Sequence, residues 1–134
     1  MVDSENPAAI RRIQPAAIPE SEAPFSQVVM DDHYAFLAGL VAADFPAGLA
    51  VLGDVGAETT AVLNTIGEAL AELKLSRDRM VKVEVHLSDL NDFDAMDAAY
   101  RQFFNPGCFP ARTTVESKHL FGGSKVEITC QVRR

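Results

Sequence analysis

The chain has 134 residues, 48% of them hydrophobic and 23% charged, which suits one globular domain with a single core better than two small ones. Against 12 basic side chains stand 19 acidic ones, a formal net charge of -7 that repels nucleic acid and anionic membrane surfaces. The basic residues come as isolated pairs such as Arg11 with Arg12, so no local patch reverses that field.

Cys108 and Cys130 are too far apart for a CxxC motif, and two thiols alone do not complete a tetrahedral zinc site, so both are expected to be free in a reducing compartment. The opening residues MVDSENPAAI carry acids where a signal peptide would carry a positive region. The apolar run "YAFLAGLVAADF" is too short to span a bilayer and is interrupted by Asp44. The expectation is a soluble cytoplasmic protein with neither nucleic-acid nor membrane partners.

In chain order, residues 1–23 hold Pro7, Pro15 and Pro19 without a sustained period and are expected to form an irregular N-terminal arm, leaving 24–134 as the folded domain. Gln27 to Met30 predicts a short strand, turned at Asp31 and Asp32 into a buried strand over "HYAFLAGLVA". Val55, Thr59, Val62, Leu63, Ile66, Leu70 and Leu73 then recur at helical spacing after Asp54, a suitable N-cap. Glu58, Asn64, Thr65, Glu68 and Glu72 are assigned to the opposite, solvated face.

"MVKVEVHL" alternates, with Val81, Val83, Val85 and Leu87 assigned to one face and Lys82, Glu84 and His86 to the other. A second helix opens at "LNDF", capped by Asn91 or Asp92, with a stripe through Phe93, Met96, Tyr100, Phe103 and Phe104 that "NPG" ends. Strands follow over Arg112 to Ser117 and over "SKVEITCQV", the "GGS" between them reading as a hairpin turn. The order β-β-α-β-α-β-β predicts an α+β two-layer sandwich with both helices on one face of the sheet. The other face is semi-polar and uncovered, and a symmetric homo-oligomer would cover it.

His33, His86 and His119 have no partner at metal-ligand spacing and are expected to be solvated. No nucleophile elbow, Walker loop or dinucleotide fingerprint is present. What remains is Arg112 and Glu127. If the last two strands form a hairpin, both residues face the semi-polar side and converge on one pocket. A strand arginine fixed by Pro110-Ala111 can present its planar fork to a small carboxylate, and Glu127 can hold a water. The plain alternative is a solvated surface charge, the usual place of an arginine and of a strand glutamate.

The stretches "APFSQ" (23–27), "AFLAGLV" (35–41), "MVKVEVHLSDLNDF" (80–93), Tyr100 with "FF" at 103–104, "FPARTTVE" (109–116) and "KVEI" (125–128) resemble, in this order, the YjgF-type reactive-intermediate deaminases of the Rid family. The resemblance spans 23–134 and makes 24–134 a Rid-like domain. It implies a chorismate-mutase-like fold and a homotrimer whose sheets form a central barrel, with sites at the subunit interfaces. It also implies hydrolysis of enamines and imines such as 2-aminoacrylate to keto acid and ammonia, with no cofactor and no metal. Arg112 would then grip the substrate carboxylate, Glu127 would position water, and Gly39 would let the backbone approach the ligand.

The chain departs from that pattern at Phe25, where tyrosine is common, at Ala38 (serine), Asp97 (asparagine) and Thr114 (cysteine). Each change alters a polar group, and Asp97 would repel an anionic ligand if it faced the pocket. A trimeric protein that binds small carboxylates or keto acids without turnover is therefore the alternative expectation. The ribonuclease reading also attached to the family fits the acidic charge poorly.

Overall fold

The alternating stretch that was clearest in the sequence forms an interior strand, paired on both sides. The structure is a computed structural model and describes residues 9–134. Its elements are β1 (Arg11–Ile13), β2 (Val28–Met30), β3 (Tyr34–Val41), α1 (Pro46–Leu49), α2 (Val55–Glu72), β4 (Met80–Leu87), α3 (Phe93–Phe103), β5 (Ala111–Glu116) and β6 (Val126–Arg133), with short 3-10 turns between.

β6 alternates throughout, burying Val126, Ile128, Cys130 and Val132. It runs antiparallel to β3 on one side and to β4 on the other. β5 lies parallel to β4, and α3 supplies the crossover that parallel neighbours need. The single mixed sheet thus has the order β1-β2-β3-β6-β4-β5. One expectation fails here: "GGS" is a turn, with Gly122 and Gly123 at positive φ, but β5 and β6 do not form a hairpin because β4 lies between them.

β4 also breaks strict alternation. Its register passes from Met80↔Val132 to Lys82↔Gln131, so Val81 is the extra residue of a bulge. Met80 turns into the core, and Val81, assigned to the buried row, is exposed instead.

α2 starts at Asp54, whose side chain accepts the Ala57 N–H at 3.1 Å. Its apolar stripe is buried as expected, but Glu58 and Thr65, assigned to solvent, are buried too. Glu58 is fully enclosed because its two oxygens accept the backbone N–H groups of Gly53 at 2.7 Å and Lys125 at 2.8 Å, which offsets the desolvation of the carboxylate. α3 buries Met96, Tyr100 and Phe103. At its end the Arg77 guanidinium stacks on the Phe103 ring at 4.4 Å and donates to the Phe103 carbonyl at 2.8 Å. The two helices pack against each other and share one core with the inward row of the sheet.

The expected irregular arm is built into this fold from residue 11 onward; residues 1–8 lie outside the described residues. β1 pairs with β2, Glu72 of α2 accepts the N–H groups of Ala16 and Ala17 at 2.7 and 2.8 Å, and Ile18 is a core residue only 3% exposed. The packing therefore does not change at residue 23. Among the described residues, no helix is long and apolar enough to cross a membrane.

Candidate functional site

Arg112 is the second residue of β5 and pairs with Val83, whose side chain is in the core. Paired residues share a face, so Arg112 points toward the helices. There α3 receives it: Phe93, Asp97, Tyr100 and Arg101 recur on one side of that helix, the side laid over β5. The guanidinium lies 4.6 Å from the Tyr100 ring centroid and 5.5 Å from that of Phe93, and its Nη1 donates to Asp97 Oδ1 at 2.8 Å. The side chain is 21% exposed, so this fork is held rather than waving in solvent.

Beside it opens a cavity of about 310 Å³ lined by Asp97, Tyr100, Arg101, Phe109, Pro110 and Arg112. Burial pushes the Tyr100 phenol up to about 12 despite the opposing pull of Arg112, and its hydroxyl has no hydrogen-bond partner among the described residues. Asp97 Oδ2 lies 3.5 Å from Arg101 Nη2, and Arg101 in turn lies 5.8 Å from the Phe109 ring centroid. The carboxylate is thus shared between two guanidiniums.

Glu127 is elsewhere. It alternates with the buried Val126 and Ile128, so its carboxylate leaves on the face opposite the helices. It lines a separate cavity of about 410 Å³ with Gly39, Val41, Phe25, Phe121 and the arm residue Ile18. The register shift between Leu37 and Leu40 puts a bulge in β3 here. A Cβ on Gly39 would stand 2.8 Å from Glu127 Oε2, closer than real Cβ atoms come, and a tight 3.0 Å from Thr129 Oγ1.

The expected convergence of Arg112 and Glu127 on one pocket is therefore overturned within a single chain. They leave opposite faces of the sheet, from strands separated by β4, into different cavities. Of the other candidates, Phe25 and Gly39 lie with Glu127, and Asp97 with Arg112. Ala38 and Thr114 line neither cavity. Ala38 donates its N–H to the Gln27 carbonyl at 2.9 Å, and the Thr114 hydroxyl is buried without a partner among the described residues. Asp97, expected to repel an anion if it faced the pocket, does line the Arg112 cavity, and there it is also ion-paired with the cation meant to attract one. His86, expected to be solvated, is half-buried with Nδ1 2.8 Å from Ser117 Oγ.

Sequence reasoning passed over Arg101, Phe109 and Phe121 as cavity walls. For Arg101 a signal existed in its i+4 spacing from Asp97. For Phe109 and Phe121, in irregular segments, no periodicity was available.

Residues 15–133 match the model of the family described as Endoribonuclease L-PSP. The chain belongs to this family, the YjgF/Rid family. This Rid chain is 36% identical over 120 residues to a RutC family protein of Synechocystis sp., covering 88% of this chain and 92% of that protein. It is 35% identical over 120 residues to the 2-iminobutanoate/2-iminopropanoate deaminase of Homo sapiens, covering 89% and 87%. Among solved structures, the Rid family protein YyfA of Yersinia pestis superposes with a TM-score of 0.85 at 25% identity over 94% of this chain and all of that one. A protein of unknown function from Pseudomonas aeruginosa gives 0.83 at 29%, covering 93% and 92%. The Rid fold of this chain, one α+β domain with a six-stranded sheet and two main helices, agrees with those neighbours.

Proposed function

We propose that the protein hydrolyses small 2-imino acids and their enamine tautomers to 2-keto acids and ammonia. The observation that carries this reading is the half-buried Arg112 fork, stacked on Tyr100 at the wall of a small cavity. Only one of its Nη groups is engaged by Asp97, so donors remain for a ligand carboxylate. Supporting it are relatives from Homo sapiens and Capra hircus named 2-iminobutanoate/2-iminopropanoate deaminase, 35% and 36% identical to this chain.

An imine carbon is already electrophilic. Its hydrolysis needs orientation and a modest proton transfer more than a strong nucleophile, so a cation for the carboxylate and a carboxylate for the water are sufficient apparatus. Glu127 fills the second role. Because it opens from the other face, the reactive site takes Arg112 from one copy of the chain and Glu127 from another. Phe25, Phe109 and Phe121 are exposed by 52%, 48% and 71% at the two cavities, which supports a seam between copies there. Phe36 and Val115, exposed on the helix-free face, support packing of that face on sister sheets in a homotrimer.

The test supplies 2-iminopropanoate from an amino-acid oxidase and follows imine loss. Arg112→Ala removes charge-assisted hydrogen bonds of about 1.5–3 kcal/mol each, so kcat/KM should fall roughly a hundredfold. Equal rates in parent and variant would remove the assignment. The Asp97 ion pair favours a second reading, a keto-acid binding protein without turnover, because it partly satisfies Arg112 in advance. Keto-acid binding that depends on Arg112, with no acceleration of imine loss, would select that reading.

A further inference from the structure

The Arg112 cavity carries an acidic group that a site for simple anions does not need. Asp97 sits on its wall with Oδ1 2.8 Å from Arg112 Nη1 and Oδ2 3.5 Å from Arg101 Nη2. It is 28% exposed, so water screens it only in part. Arg112 is fixed by the Tyr100 and Phe93 rings and cannot swing away from it without losing both stacking contacts.

A guanidinium carries five N–H donors in one plane, and the donor given to Asp97 leaves the rest of the fork open. A carboxylate docked there stands beside Asp97, with Arg112 between the two anions. An atom attached to the ligand's α-carbon on the Asp97 side can then come within the roughly 4–6 Å over which a neighbouring charge is felt. If that atom is a neutral oxygen, the ligand adds no cation of its own to the Asp97 charge, which only Arg112 and Arg101 then offset. If it is a positively charged nitrogen, cation and anion alternate around the cavity: Arg101, Asp97, ligand nitrogen, ligand carboxylate, Arg112.

We infer that Asp97 is a specificity-determining residue that makes this cavity prefer ligands with a cationic nitrogen on the α-carbon, as in an iminium or α-ammonium group, over the matching keto acids. The inference rests on the reading that Arg112 grips a ligand carboxylate, and it adds the form in which the substrate is taken. In the hydrolysis, the iminium carbon gains the oxygen of one water and loses its nitrogen, so that iminium acid and water become keto acid and ammonium. The cation leaves with the ammonium. The product therefore loses its counter-ion to Asp97 while the Asp97 charge remains, which favours substrate over product at one subsite.

The experiment is calorimetric binding of L-alanine and of pyruvate, stable compounds that differ in the α-ammonium against the α-carbonyl group, to the full chain and to Asp97→Asn. Asparagine keeps the shape and removes the charge; Asp97→Ala, read by the same ratio, guards against a role for the new amide. The expected result is that alanine binds more tightly than pyruvate to the parent, and that the ratio of the two dissociation constants falls at least tenfold in both variants, mostly through tighter pyruvate binding. A ratio that moves less than twofold, or a parent that binds neither compound, overturns the inference. A parent that hydrolyses no imine yet shows the ratio keeps it and removes the deaminase reading. A parent that hydrolyses imines with a ratio indifferent to Asp97 does the reverse.

Discussion

Gly39 and Glu127 face each other across the β3 bulge so closely that a single methyl group on Gly39 would enter the space of the Glu127 carboxylate, 2.8 Å from Oε2 and 3.0 Å from Cδ. The obstructed atoms are the end of a flexible side chain rather than backbone, so folding can accommodate the methyl by moving Glu127. Gly39→Ala should therefore leave the unfolding free energy from urea titration within about 1 kcal/mol of the parent while lowering kcat for imine hydrolysis at least tenfold, since misplacing a water-positioning group costs that much or more. Gly48→Ala is the contrast, because there a Cβ meets the backbone oxygen of Ala42, which cannot step aside. A Gly39→Ala protein with unchanged kcat would mean that the position of Glu127 is irrelevant to the reaction.

What the sequence made legible was what depends on near neighbours along the chain. The β6 alternation, the α2 stripe from Val55 to Leu70 and the α3 stripe through Met96 and Tyr100 are all local periods, and all are buried as read. What it hid was non-local. The place of β4 between β5 and β6 depends on the α3 crossover, which no turn residue announces, and the assumed hairpin carried Arg112 and Glu127 to the wrong common face with it. Glu58 was misassigned because a helical period sees only the helix, whereas its carboxylate is enclosed by Gly53 and Lys125, the latter 67 residues away. Ile18 belongs to the core as the one large apolar residue between Pro15 and Pro19, without a period to reveal it. At the site, Asp97 and Arg112 were each recognisable, but their ion pair exists only because α3 lies over β5.

Cys130 gives the fold an alkaline limit. Burial in the inward row of β6 raises its thiol from an ordinary 9.0 to about 12, so in the folded chain the thiol stays protonated where the unfolded chain has lost the proton. A raised folded value contributes stability that is whole below pH 9.0 and is lost as pH climbs from there toward about 12. Each pH unit in that window should cost about 1.4 kcal/mol for one proton, and Tyr100, raised from 10.0 to about 12 by burial, steepens the upper part. Cys130→Val, a strand-compatible residue, should flatten the fall in urea midpoint between pH 9 and 10. Identical slopes in parent and variant would show that the thiol does not set the limit.

Separate cavities for Arg112 and Glu127 lead to a complementation experiment. Arg112→Ala chains keep an intact Glu127, and Glu127→Ala chains keep an intact Arg112. If every reactive site draws the two residues from different copies, unfolding the two inactive proteins together and refolding them at equal concentration rebuilds some intact sites. Each site then needs the right residue from two independent draws, so imine turnover should return to roughly a quarter of the parent value, whichever closed ring the copies form. If both residues of a site came from one chain, every site in the mixture would keep one lesion and no activity would return. The refolded mixture separates these outcomes without a ligand-bound structure, because the two single variants assayed alone supply the baseline. Recovery would also tie the reaction to assembly: diluting the parent protein below the dissociation constant of its oligomer should then remove turnover while the α2 and α3 helical signal persists.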